Sequence, residues 1–198
     1  MKAALPANQL ARVLTNAALF KGDQMRPILE QCRVTFEKDR LELATTDSYA
    51  LLFEHVDAEV PAEMIGAVGK ITLTEIKELL AVSKGSASMA TLELNDDSQS
   101  NVVTVIECSN GATFKFTDFG SFPNLAYLID PLKFDGLMGP QLGIGLWQLA
   151  RLAKIVARDG SVKDAKFPAK LEVIDNLKPM LFTLGSDIAV YVMPVRIP

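Results

Sequence analysis

Histidine occurs once, as His55, and cysteine twice, as Cys32 and Cys108. One imidazole is too few for a His-based metal cluster and leaves little from which to build a catalytic triad. Two cysteines cannot make a disulfide framework, and both lie in alternating apolar runs, so they read as reduced core thiols. Neither sign of charge is in large excess. The 20 Lys and Arg oppose 24 Asp and Glu for a net charge of −4, which excludes a uniformly basic nucleic-acid coat but not a basic stripe on an acidic body. No apolar run nears the roughly 20 residues of a membrane-spanning helix. Asn8, Gln9 and Arg12 interrupt the first 14 residues, so no export signal is read there. A cytoplasmic, soluble chain is expected, with no membrane partner. Walker A, CxxC, HExxH and GxSxG motifs are missing, and no cofactor, metal or catalytic residue is assigned.

What is present is material for a core. The 198 residues are 49% apolar and only 22% charged, which suits one large or two small folded domains and rules out a disordered chain. Helical periodicity runs from about Asn8 to Leu19, with Leu10, Val13, Leu14 and Ala17 on one face and Asn8 as N-cap. A second helix is predicted over about 74–84, capped by Thr74 and carrying Ile76, Leu79 and Leu80. A third covers about 146–158, with Leu146, Leu149, Leu152, Ala153 and Val156 as its apolar face and Gly160 as its stop.

Strand-like alternation fills the intervals. Residues 32–36 and 41–45 flank a turn at Lys38-Asp39, and residues 49–56 continue the meander. Residues 89–94, 101–108 and 113–116 follow, the last two joined by the hairpin signal Asn110-Gly111. Residues 170–174, 180–184 and 188–193 complete the set. A helix followed by two or three antiparallel strands therefore occurs three times, at a period of about 65–70 residues. The expected class is α+β, built from repeated βαβββ units whose sheets bury one face against helices. Residues 1–120 hold two units, 121–141 form a connection rich in Pro and Gly, and 142–198 hold the third.

Two features carry function. Arg151, Lys154 and Arg158 share one face of the third helix, and no acid lies between Ile144 and Ala157. Lys77 and Lys84 recur on the second helix and Arg12 on the first, so these six could together face phosphates without reading sequence. The chain also stays apolar to its end. A terminus of that kind packs as a final strand or lines a groove with Met193 and Pro194 in its wall.

Four short motifs point to one family. They are Arg26-Pro27-Ile28-Leu29; Thr46-Asp47-Ser48-Tyr49-Ala50-Leu51; Phe119-Gly120-Ser121-Phe122-Pro123-Asn124-Leu125; and Tyr191 to Pro198. Together they resemble the bacterial DNA polymerase III beta subunit, the DNA sliding clamp. The resemblance implies helices lining a ring around duplex DNA, with antiparallel sheets outside. It implies a non-catalytic processivity factor for DNA replication. In that reading Arg12, Lys77, Lys84, Arg151, Lys154 and Arg158 face DNA. Met193, Pro194, Val195 and Arg196 form the groove that takes peptides of the polymerase and the clamp loader. Ala50 stands where the family carries Arg. Three units, against six per chain in a bacterial clamp, imply a shortened, phage-type member and a homo-oligomeric ring of four chains. A clamp-derived interaction module that never encircles DNA is the alternative, and an enzyme acting on a small polar substrate is the least supported.

Overall fold

The computed structural model describes residues 2–83, 89–94, 103–109, 111–117, 119–125, 143–155, 169–174 and 177–195. Strand β1 (Lys2–Pro6) leads into helix α1 (Ala7–Ala18), followed by β2 (Gln31–Glu37), β3 (Arg40–Thr46) and β4 (Ala50–Asp57). The second pass runs through β5 (Val68–Thr72), α2 (Lys77–Ser83), β6 (Met89–Leu94), β7 (Val103–Cys108) and β8 (Thr113–Phe114). The third comprises α3 (Leu146–Leu152), β9 (Ala169–Glu172), β10 (Met180–Leu184) and β11 (Ile188–Val192). None of the described helices is long and apolar enough to cross a membrane.

The α+β class and the antiparallel meanders agree with the periodicity. Its two leading strands, β1 and β5, are additions. Both are short, and Gly69 and Lys70 interrupt the alternation of β5. They are also exchanged between sheets: β1 joins β6 in the order β1-β6-β7-β8, while β5 joins β2 in the order β5-β2-β3-β4-β11-β10-β9. That exchange ties the first two passes into one body. The third pass extends the larger sheet through the antiparallel seam between β4 and β11, where Tyr191 lies opposite Leu51.

Burial follows from the period-two alternation of the strands. Cys32, Val34 and Phe36 of β2 pack with Leu10, Val13 and Leu14 of α1 and with Leu79 of α2, in one core between the two sheets. A second core joins Ala50 and Leu52 of β4 to Leu152, Ile155, Phe182 and Val190. Strand β4 serves both. The opposite face of the larger sheet is crossed by residues 119–125, where Leu125 is buried on Ala44 and Leu51 with Phe53, Phe122 and Tyr191 around it. Lys70 Nζ donates to the Gly120 carbonyl at 2.7 Å, and Gly120 takes φ 100, which favours glycine. The connection expected over 121–141 thus begins as a packed strap; 126–141 lies outside the described residues.

Helix starts and faces differ from expectation. No side chain caps α1; Pro6 holds the N-cap position and Asn8 lies inside the helix. Helix α2 begins at Lys77 and not at Thr74, because Glu75 turns aside to accept the N–H and hydroxyl of Thr117 at 2.9 and 2.6 Å. On α3 the buried positions are Gln148 and Leu152, with Ile155 following, whereas Leu146 and Leu149 are exposed. The leucine spacing also fits a stripe shifted by about one position, and only packing against the second core distinguishes the two.

Candidate partner-binding site

The seam between β4 and β11 ends in a polar turn at residues 46–50. Asp47 Oδ1 accepts the N–H groups of Tyr49 and Ala50, each at 2.8 Å, and Thr46 Oγ1 accepts that of Ser48 at 3.0 Å. Ser48 is held at φ 79, a left-handed conformation that such local bonds stabilise. Arg26 reaches across to donate to Ser48 Oγ at 2.8 Å. The turn presents Tyr49 to solvent.

Residues 193–195 run alongside this turn. The Met193 N–H donates to the Tyr49 carbonyl at 2.9 Å, and the Val195 N–H donates to the Gly143 carbonyl at 2.9 Å. On the far side stands α3. Its Trp147 meets Tyr49 edge-on, with ring centroids 6.4 Å apart. A Cβ on Gly145 would come within 2.8 Å of Trp147 Nε1, so the glycine makes room for the indole. Tyr49, Trp147, Leu146, Met193 and Val195 all remain exposed, and Pro194 is half-buried. Exposed apolar groups gathered like this mark an interaction surface more than an active site.

Arg151 pins the patch from below. Its Nη1 donates to Asp47 Oδ2 at 2.6 Å and to Gln148 Oε1 at 3.2 Å, and its Nε donates to the Leu19 carbonyl at 2.6 Å. The guanidinium lies 4.4 Å from the Phe20 ring centroid and 5.1 Å from that of Trp147. Such a planar cation bridges a carboxylate and aromatic faces at once, which a lysine cannot do. Beside the seam, burial pushes the Tyr191 hydroxyl up, and Glu172 adds to the effect.

The six residues expected to face DNA separate. Arg12 has a side chain 8% exposed and ion-paired with the fully buried Glu54, which also accepts from Asn16 Nδ2 at 3.0 Å. Burial pushes the Glu54 carboxyl up, and Arg12 and Asn16 oppose that. Arg151 is turned inward on Asp47 and two rings. Lys77 and Lys154 are exposed. Lys84 and Arg158 lie outside the described residues, as does Arg196 of the groove set. Met193, Pro194 and Val195 come together with three residues not singled out for the groove: Tyr49, Trp147 and Leu146. The one tryptophan of the chain, on a helix of otherwise aliphatic apolar residues, was the available signal. Ala50 is buried in the second core, which leaves no room for an Arg side chain at that position.

Neither a protein-family model nor a curated protein matches the sequence. Solved structures do. The chain is similar to the DNA polymerase sliding clamp from Bacillus subtilis, at TM-score 0.71 and 14% identity, over 100% of this chain and 65% of that one. It is also similar to the sliding clamp, DNA polymerase III subunit beta, from Pseudomonas aeruginosa bound to griselimycin, at TM-score 0.74 and 13% identity, over 100% and 66%. The Caulobacter crescentus sliding clamp gives TM-score 0.68 and 14% identity, over 100% and 66%. The chain has the sliding-clamp fold and spans about two thirds of the length of the clamps it matches.

Proposed function

We propose that this protein is a clamp-like processivity factor that tethers a replicative DNA polymerase to duplex DNA. In this reading the groove at the β4–β11 seam holds a short apolar peptide of the polymerase, or of the machinery that loads the clamp. One observation carries the proposal. The four motifs that resemble the sliding clamp lie far apart in sequence, and their described residues converge on one seam: Arg26 on the 46–50 turn, Leu125 beneath Leu51, and Met193 bonded to Tyr49. The exposed side chains there are apolar, and Trp147 is held between Tyr49 and Arg151, which favours peptide docking. Topological retention on DNA needs only weak phosphate contacts, for which Lys77 and Lys154, with Lys84 and Arg158, are the candidates.

The test is fluorescence anisotropy of labelled short apolar peptides from the cognate polymerase. Binding should weaken about tenfold or more for Trp147→Ala and for Arg151→Ala, with the circular dichroism spectrum unchanged. Wild-type affinity in both variants would exclude this groove.

A second reading is favoured by the inward turn of Arg12 and Arg151: an interaction module that binds clamp partners without encircling DNA. Solution mass and retention on circular DNA separate the two. A closed ring, possible for four chains of three units, stays on a circle and falls off once the circle is cut. A monomer with no such difference supports the module.

A further inference from the structure

The sheet face that carries the strap also carries a cluster unrelated to the groove. Glu37 of β2, Glu42 of β3 and His55 of β4 each offer a ligand atom, and these atoms all lie within 4.8 Å of one another. Glu42 and His55 are opposite each other in the β3–β4 register, with His55 Nε2 3.4 Å from Glu42 Oε2. Glu37 reaches them from the end of the neighbouring strand. All three are partly buried, at 31%, 19% and 30% exposure for Glu37, Glu42 and His55. Strand backbone and neighbouring side chains therefore hold the donors in place before any ligand arrives.

We infer that Glu37, Glu42 and His55 form a binding site for a divalent transition-metal ion of the zinc class. The donor set decides the class. One imidazole nitrogen and two carboxylate oxygens suit zinc, whereas magnesium and calcium take oxygen donors only. Three protein ligands leave at least one coordination position for water or for a group from a partner. The count of one histidine excluded a cluster built on several imidazoles; it does not exclude one imidazole with two carboxylates.

Two arginines shape the site. Arg33 Nη2 donates to Glu42 Oε1 at 3.1 Å, and Arg40 Nε to Glu37 Oε2 at 2.5 Å. Each takes one named oxygen of its carboxylate, and a carboxylate has two. Outer partners of this kind orient a ligand, but here their charge also opposes the incoming cation. Arg40 is half-exposed and can swing into solvent, so it limits affinity more than it organises the site. The ion displaces the contact between His55 and Glu42 and binds the neutral imidazole.

The experiment is titration calorimetry of the full chain with zinc chloride, followed by competition with excess magnesium. Saturation at one ion per chain, undisturbed by magnesium, is expected. His55→Gln should lower the affinity by at least about 100-fold, the upper end of what loss of an outer partner alone does. Arg40→Gln should raise it. No other histidine exists in the chain and both cysteines are buried, so a competing nitrogen or thiolate site has no residues to use. Absence of saturable zinc binding to the folded wild type overturns the inference. So does unchanged affinity in His55→Gln. If that variant fails to fold, Arg40→Gln decides: tighter binding supports the site and unchanged binding overturns it.

Discussion

At the scale of single residues, buried charge and buried thiol behave oppositely. Arg12 and Glu54 form an ion pair that is almost wholly desolvated, and removing one partner strands the other. Glu54→Ala should therefore lose about 3–5 kcal/mol in urea unfolding, whereas the joint replacement Arg12→Met with Glu54→Leu should lose less, since no charge is stranded and only the buried Asn16 amide is deprived of its Glu54 acceptor. Cys32 is fully buried, and burial pushes its thiol up to about 12 from 9.0. An acid whose folded value is raised contributes stability that is complete below the unfolded value and is lost as pH rises through the folded one. Stability measured from pH 9 to 12 should thus fall in the wild type and fall less in Cys32→Val. The same burial predicts that a thiol reagent finds neither cysteine until the chain is denatured.

At the scale of elements, the strap over residues 119–125 links parts that the chain order keeps apart. Leu125 is completely buried against β3 and β4 and clusters with Tyr191 of β11, so it braces the seam beneath the groove. Leu125→Ala should destabilise the fold by about 2–5 kcal/mol in denaturant melts. It should also weaken partner-peptide binding by more than an exposed substitution such as Leu177→Ala, because the seam positions Tyr49 and Met193. Equal peptide affinities would show that the strap only stabilises. Helix α3 teaches a related lesson. Seven residues of Leu, Trp, Gln, Ala and Arg admit two apolar stripes, and the one chosen buries Gln148 and Leu152 while leaving Leu146 and Trp147 to solvent.

At the scale of the whole molecule, the described strands of the larger sheet run unbroken from β5 to β9 through the β4–β11 seam. Strand β4 faces both cores, so neither core can open without disturbing the other. Thermal unfolding should accordingly be a single transition by calorimetry, and Val190→Ala in the second core should lower that same transition rather than split it. Two resolved transitions would show that the third pass folds by itself.

What the amino-acid order determined by itself was local and periodic. Alternation placed most of the strands within a residue or two, the 3.6-residue spacing located the three helices, and the three-fold recurrence of helix and meander exposed the repeat. The four motif segments, though short, pointed to the fold that the solved clamps share. Tertiary structure decided what depends on partners distant in sequence. Arg12 and Arg151 look like ordinary surface cations on a helix until Glu54 and Asp47, 42 and 104 residues away, appear beside them. The exchange of β1 and β5 between sheets, the strap across the outer face, and the meeting of Glu37, Glu42 and His55 have the same origin. Side-chain period is a property of the chain, whereas charge pairing and burial on a helix face are properties of what folds against it.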